Sequence, residues 1–179
     1  DAIIHLVRCF DSDNIQHVNK KIDPVSDLET IKTEILLADI NQIEKRLQKN
    51  NKKKMTEKQI KIFEEVLDEL NKGKEIKKYS SDIGSEKILK ELGLISTKPY
   101  IIVNNVDENS MESGNNYTEA TKKKYPSQKH IVICADIEDQ IIDLKPDERA
   151  DYMQNIGLKK TGLDQLIKTG YNLLDLNTF

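Results

Sequence analysis

Three short runs of aliphatic, largely β-branched residues set the frame for this chain: Ala-Ile-Ile-His-Leu-Val at residues 2–7, Tyr100–Val103 and Ile131–Cys134. Short, nearly continuous apolar runs of this kind are the pattern of strands buried on both faces, as in a parallel sheet. A polar loop and a helix-compatible segment follow each of the later two. Strand, connection, strand, connection, strand is the grammar of an open α/β sheet with right-handed crossovers. Because the first run starts one residue from Asp1, the expectation is that further polypeptide normally precedes it.

Between the first and second runs the periodicity changes. Ser26-Asp27-Leu28-Glu29 reads as a capping box just after Pro24, and Leu36, Ile40, Ile43 and Leu47 recur at helical spacing. This predicts a helix near residues 26–49. Asn50–Lys54 is a polar, basic break. Thr56-Glu57-Lys58-Gln59 offers a second capping box, Ile60, Phe63, Leu67 and Leu70 make a second stripe, and Gly73 supplies a stop. Two amphipathic helices joined by a short polar tip predict an antiparallel helical hairpin inserted in the α/β frame, projecting from the sheet. Further helices are expected over Ser85–Leu92, part of Tyr117–Lys124, Pro146–Gln154 and Leu163–Leu174, with Gly162 and Gly170 limiting the last.

Charge and cysteine content narrow the function classes. The chain carries 28 Lys+Arg against 31 Asp+Glu, so a globally basic nucleic-acid binder is disfavoured, although a local basic patch is not. No apolar run approaches the roughly 20 residues of a membrane span. Cys9 and Cys134 are too few and too far apart for a disulfide framework, which favours a reducing, cytoplasmic compartment. His5 and Cys9 lie four apart and share a face only if the strand stays regular, while His17 and His130 have no Cys or carboxylate partner at zinc-ligand spacing, so no metal site is expected. Asp136, Glu138 and Asp139 read as a solvated helix start rather than an acid/base pair.

The candidate chemistry follows the second strand, at Asn105-Val106-Asp107-Glu108. Ligands of open α/β sheets sit at the carboxyl ends of strands, where a carboxylate can accept hydrogen bonds from a purine edge. Cys134-Ala135, ending the third run, supplies a small-residue turn whose backbone N–H groups could approach the same base. A chance Asn-x-x-Glu is common in so charged a chain, so its position carries the argument.

Several segments, taken in order, resemble one family: Val7-Arg8-Cys9-Phe10-Asp11-Ser12-Asp13-Asn14-Ile15, His17-Val18, Ile22-Asp23-Pro24-Val25, the paired helices, Lys98-Pro99, Asn105-Val106-Asp107-Glu108, Cys134-Ala135 and Leu173-Leu174-Asp175-Leu176. The chain resembles the Obg-like ATPase (YchF-type) family of translation-factor P-loop NTPases along essentially its whole length. The resemblance implies the second half of a three-layer P-loop NTPase domain in residues 1–25 and 93–175. It further implies an inserted helical hairpin, or coiled coil, in 26–92, and the start of a TGS domain in 176–179. It implies ATP or GTP and magnesium as ligands of the intact protein, hydrolysis of ATP by that protein, and a ribosome or RNA partner. No Gly-x-x-x-x-Gly-Lys-Ser/Thr loop occurs in the 179 residues, so this stretch alone is expected to be inactive and to bind nucleotide weakly at best. No catalytic residue is assigned to it.

GTPases of this class read guanine with Asn-Lys-x-Asp. Here Val106 stands at the lysine position and Glu108, one methylene longer, at the aspartate position. The paired contact to guanine is weakened and adenine can compete. The resemblance gives Asn105 a bracing role, Val106 a main-chain contact and Phe10 a contact with the base. Cys134 and Ala135 then stand where GTPases carry Ser-Ala, with a sulfur that donates more weakly than a hydroxyl. Lys45, Arg46, Lys49, Lys52, Lys53, Lys54 and Lys58 cluster at the hairpin tip. A solvated helix end explains such a cluster; contact with RNA phosphate through Lys52, Lys53 and Lys54 is the functional alternative. The first strand would leave a sheet edge open to self-association. The rival reading for the whole chain is a non-enzymatic RNA- or protein-binding hairpin module.

Overall fold

The computed structural model describes residues 1–12, 21–48, 53–74, 76 and 83–177. Asp13–Lys20, Lys49 and Lys52 lie outside the described residues, and so do Thr178 and Phe179, half of the expected TGS start. The chain divides into two compact units, one of Asp1–Leu28 with Pro99–Phe179 and one of Glu29–Lys98.

In the first unit, strands β1 (Ile3–Arg8), β2 (Tyr100–Asn105) and β3 (Lys129–Ile133) form a parallel sheet in sequence order. The register pairs Ile3 with Tyr100 and Ile102 with His130. Alternation of side chains across the pleat gives the sheet two different faces. On one, Val7 and Ile102 pack with Leu28, Tyr117 and Tyr125; on the other, Ile101, Val103 and Ile131 pack with Leu166 and Leu173. The central strand β2 is therefore covered on both sides, as its composition predicts. β1 is not. Ile4 and Leu6 are 52% and 57% exposed, because the covering helix reaches β2 and β3 and leaves the outer face of β1 open.

That covering helix shows how local chemistry places an element. Helices α4 (Asn116–Lys124), α5 (Ala135–Asp143), α6 (Pro146–Asn155) and α7 (Gly162–Leu173) complete this unit. Pro146 opens α6, where its missing N–H is harmless. At the start of α7 the Glu138 carboxylate accepts the Gly162 and Leu163 N–H groups, and Thr161 Oγ1 accepts Asp164 N at 3.0 Å. Glu138 is thus a tertiary cap for α7, not the solvated charge the sequence predicts. A Cβ at Gly162 would collide with Cγ2 of Ile133, so the glycine permits close helix–strand packing. Gly170, expected as a limit, sits inside α7.

The second unit takes in most of α1 (Pro24–Leu47), together with α2 (Glu57–Asn71) and α3 (Ile83–Leu92). α1 begins two residues before the predicted box: Asp23 Oδ1 accepts Ser26 N at 3.0 Å, and Pro24 fills the first helical position. The Thr56–Gln59 box forms as predicted, with Thr56 N donating to Gln59 Oε1 at 2.9 Å and Gln59 N to Thr56 Oγ1 at 3.2 Å. Gly73, at φ +71°, follows the last turn of α2 in the left-handed conformation that favours glycine. The buried stripe of α2 is Ile62, Phe63, Val66 and Leu70, with the predicted Leu67 packed at its edge and Ile62 in place of Ile60. These residues join Ile43, Leu92 and Leu94 in one apolar cluster, flanked by Leu36, Ile40 and Leu47. Among the described residues no helix is long and apolar enough to cross a membrane.

Asp39, fully buried on α1, accepts the N–H groups of Ile95 and Ser96, each at 2.8 Å. These bonds fasten the segment after α3 to α1. Replacing a buried acceptor leaves both donors dry, so Asp39→Ala should lower the unfolding free energy in urea by about 2–4 kcal/mol. Asp39→Asn keeps one acceptor oxygen and should cost about half as much.

Candidate nucleotide-binding site

The loops after the three strands are joined at their carboxyl ends by hydrogen bonds that belong to no strand ladder. Cys9 N donates to Asn105 O at 2.7 Å, and Val106 N donates to Ile133 O at 2.8 Å. Asn105 Oδ1 accepts Ala135 N at 2.9 Å, tying the end of β2 to the first turn of α5. Asn105, Val106 and Ala135, three of the predicted residues, are thus in direct contact. Val106 turns its side chain inward, 2% exposed and packed in the cluster of Val7, Cys9 and Ile102. Only its main chain faces the loop.

Asp107 is consumed locally. Its Oδ1 accepts Ser110 N at 3.0 Å and caps a single 3-10 turn, Glu108–Ser110. Glu108, the first residue of that turn, is exposed. Its charge reaches the buried thiol of Cys134, which precedes α5. Burial is the main reason that thiol's pKa is raised; the Ile137 and Asp136 amides pull it down, and the charges of Asp136 and Glu108 push it further up. No side-chain hydrogen bond from Cys134 caps the helix.

Phe10 and Glu108 border different hollows. Glu108 lines a cleft of about 750 Å³ with Met111, Ile137, Leu158 and Lys159. Phe10 lines one of about 430 Å³ with Asp107, Ser110, Asn115 and Tyr117. Lys53 and Lys54 are exposed in the turn before α2. Sequence reasoning overlooked Asn104 and Asn115. Asn104 is fully buried: its Oδ1 accepts Thr121 Oγ1 at 2.8 Å and Cys9 Sγ at 3.5 Å, and its Nδ2 donates to Ile131 O at 3.3 Å. Asn115 caps α4 through Oδ1, and its Nδ2 donates to Cys9 O at 2.6 Å. The available signal was an asparagine just before a helical segment, a cap pattern.

Burial, reinforced by the charge of Asp27, pushes the Cys9 thiol up to about 12 from an ordinary 9.0. The folded chain therefore holds a proton that the unfolded chain releases, and stability should fall as pH rises from about 9 toward 12. Urea midpoints across that range should slope downward, less steeply in Cys9→Ala. Alkylation of native Cys9 at pH 8 should be far slower than after denaturation.

No protein-family model matches the chain. It is 37% identical over 188 residues to the Ribosome-binding ATPase YchF of Bacillus subtilis and 35% identical over 186 residues to that of Haemophilus ducreyi. Each alignment covers 100% of this chain and 51% of the relative. The solved structure of the Schizosaccharomyces pombe YchF GTPase superposes with a TM-score of 0.79 at 27% identity, covering 97% of this chain and 50% of that one. The chain spans about half the length of the curated relatives it matches. Along its whole length the chain is thus homologous to about half the length of the YchF ribosome-binding ATPases and shares the fold of the corresponding half of the YchF GTPase.

Proposed function

We propose that this chain carries the purine-recognition edge of a nucleoside-triphosphate site, and that the intact protein hydrolyses ATP in the cytoplasm in association with the ribosome. The observation that carries the reading is the Asn105–Ala135 bond, which fixes the loops after β2 and β3 against each other where open α/β sheets take their ligands. In this reading Glu108 meets the base edge, Phe10 contacts the base, and the main chain of Val106 with the Cys134–Ala135 turn completes the wall. The longer carboxylate and the missing lysine weaken the guanine contact, so ATP is favoured over GTP.

Phosphate binding is assigned to polypeptide outside these 179 residues, which contain no glycine-rich phosphate loop. Magnesium is assigned there too, because such an ion is held by one or two side chains together with the phosphate oxygens themselves. Hydrolysis then belongs to the intact protein, and this stretch contributes orientation and base choice. Residues 1–25 and 93–175 are assigned to the nucleotide domain and 26–92 to the insertion, with 176–179 leading into a TGS domain. We assign α1 and α2 to the two arms of an antiparallel hairpin, on the strength of their common apolar cluster and short connection. The ribosome is the partner because the relatives are named ribosome-binding. Exposed Lys53 and Lys54 are assigned to RNA phosphate, with Lys52, outside the described residues, grouped with them by sequence.

Glu108→Asp in the full-length protein should raise the GTP-to-ATP affinity ratio by about tenfold in calorimetry. An unchanged ratio would remove Glu108 from the base site. Val106 is unsuited to the matching lysine swap, since its buried side chain would carry a charge into the core. Replacing Lys53 and Lys54 together by alanine should reduce the salt dependence of ribosome binding, with the log–log slope falling by about one to two.

A further inference from the structure

We propose that Arg8, Asn115 and Tyr117 form a clamp that pre-sets Phe10 as a wall of the purine site, which makes them positioning residues for base recognition. The inference rests on the nucleotide reading above. Residues 9–12 follow β1, where Cys9 bonds β2 through its N–H to Asn105 O and through its thiol to Asn104 Oδ1. Each of the four is also tethered by a side chain. Asn115 Nδ2 donates to Cys9 O at 2.6 Å, Arg8 Nε to Phe10 O at 3.0 Å, Tyr117 Oη to Asp11 Oδ2 at 3.1 Å and Arg8 Nη2 to Ser12 O at 3.3 Å.

The ring is fixed as well as the backbone. The Arg8 guanidinium lies over the Phe10 ring, 4.9 Å from its centroid, and limits the planes the ring can adopt. Phe10 also borders the cleft lined by Asn115 and Tyr117, so two of the three tethering residues and the ring face one space. The Tyr117 hydroxyl, protonated at neutral pH like any tyrosine, donates to the Asp11 carboxylate, and that bond raises its pKa further. Tethers on four successive residues exceed what a surface connection needs. They suit a loop whose aromatic must be in place before its ligand arrives, so that binding does not bear the ordering entropy.

Calorimetry of the full-length protein with ATP, and with tripolyphosphate as the base-free control, tests this. Arg8→Gln and Asn115→Ala should each weaken ATP binding by about fivefold, the scale of one fixed side-chain contact, and leave tripolyphosphate binding unchanged. Tyr117→Phe, which removes one exposed hydroxyl and does not threaten the fold, should weaken it by about two- to threefold. In a Phe10→Ala background the effect of Arg8→Gln should vanish, because a residue acting through Phe10 has nothing left to position. An Arg8 effect that persists without Phe10, or equal losses for tripolyphosphate, would overturn the clamp while ATP binding and the Glu108 shift remain. A wild-type protein that binds tripolyphosphate but shows no gain from the base would overturn the nucleotide reading itself, and the clamp with it.

Discussion

Because successive side chains of a strand point to opposite faces, the two asparagines that end β2 can stitch the sheet from both sides at once. Asn104 points into the buried face, where its amide satisfies Thr121 on α4, the Cys9 thiol after β1 and the Ile131 carbonyl on β3. Asn105 uses its carbonyl for Cys9 N and its side chain for Ala135 N. Between them they link three strand ends and two helices. Each bond is worth only about 1 kcal/mol net, but leaving one of the buried groups around Asn104 unpaired would cost about 1–3 kcal/mol. The network thus acts chiefly as a constraint on geometry: the loops must keep the spacing that satisfies it.

The same logic extends beyond the asparagines. Glu138, on α5, reaches the first N–H groups of α7, while Gly162 lets that helix lie directly on Ile133. The loop after β3 is therefore held from both ends, by Asn105 before α5 and by α7 beyond it. At the start of α7 a carboxylate suits the task, because a helix N-terminus favours negative charge. In the other unit Asp39 performs the comparable task for the segment after α3.

Much of this fold was legible as pattern. The three apolar runs became three parallel strands in order, and Thr56, Gly73 and Pro146 marked helix ends because their signals are local. What failed to show depends on neighbours. An apolar run cannot tell whether both its faces are covered, so the exposure of Ile4 and Leu6 was invisible. Ser26 and Asp23 are both competent caps, and Pro24 between them gives the earlier one its helical start. Ile60 and Ile62 each suit an apolar stripe on α2; packing against Ile43 and Leu92 decides for the latter. Asn104 looked like the polar end of a strand, since nothing in the sequence marks Thr121 as its partner. The Asn105 brace was readable from its place after an apolar run, whereas the inward turn of Val106 required the sheet.

The tetrapeptide Asn105-Val106-Asp107-Glu108 divides its labour in a way that explains its spacing. Asn105 is occupied with Ala135, Val106 fills the core, and Asp107 caps the 3-10 turn through Ser110 N. The Glu108 carbonyl accepts Met111 N within the turn, while among the described residues its carboxylate has no hydrogen-bond or ion-pair partner and stands exposed on the turn that Asp107 holds. Exchanging the two acids would not be neutral, for a capping carboxylate is worth about 1 kcal/mol and the shorter side chain reaches the turn amide with fewer rotors to fix. A carboxylate one position earlier would be spent on the fold, and one left at Glu108 is spare. Three residues committed to geometry and a fourth whose carboxylate is left unpaired is the arrangement expected where a side chain must meet something that is not part of the chain.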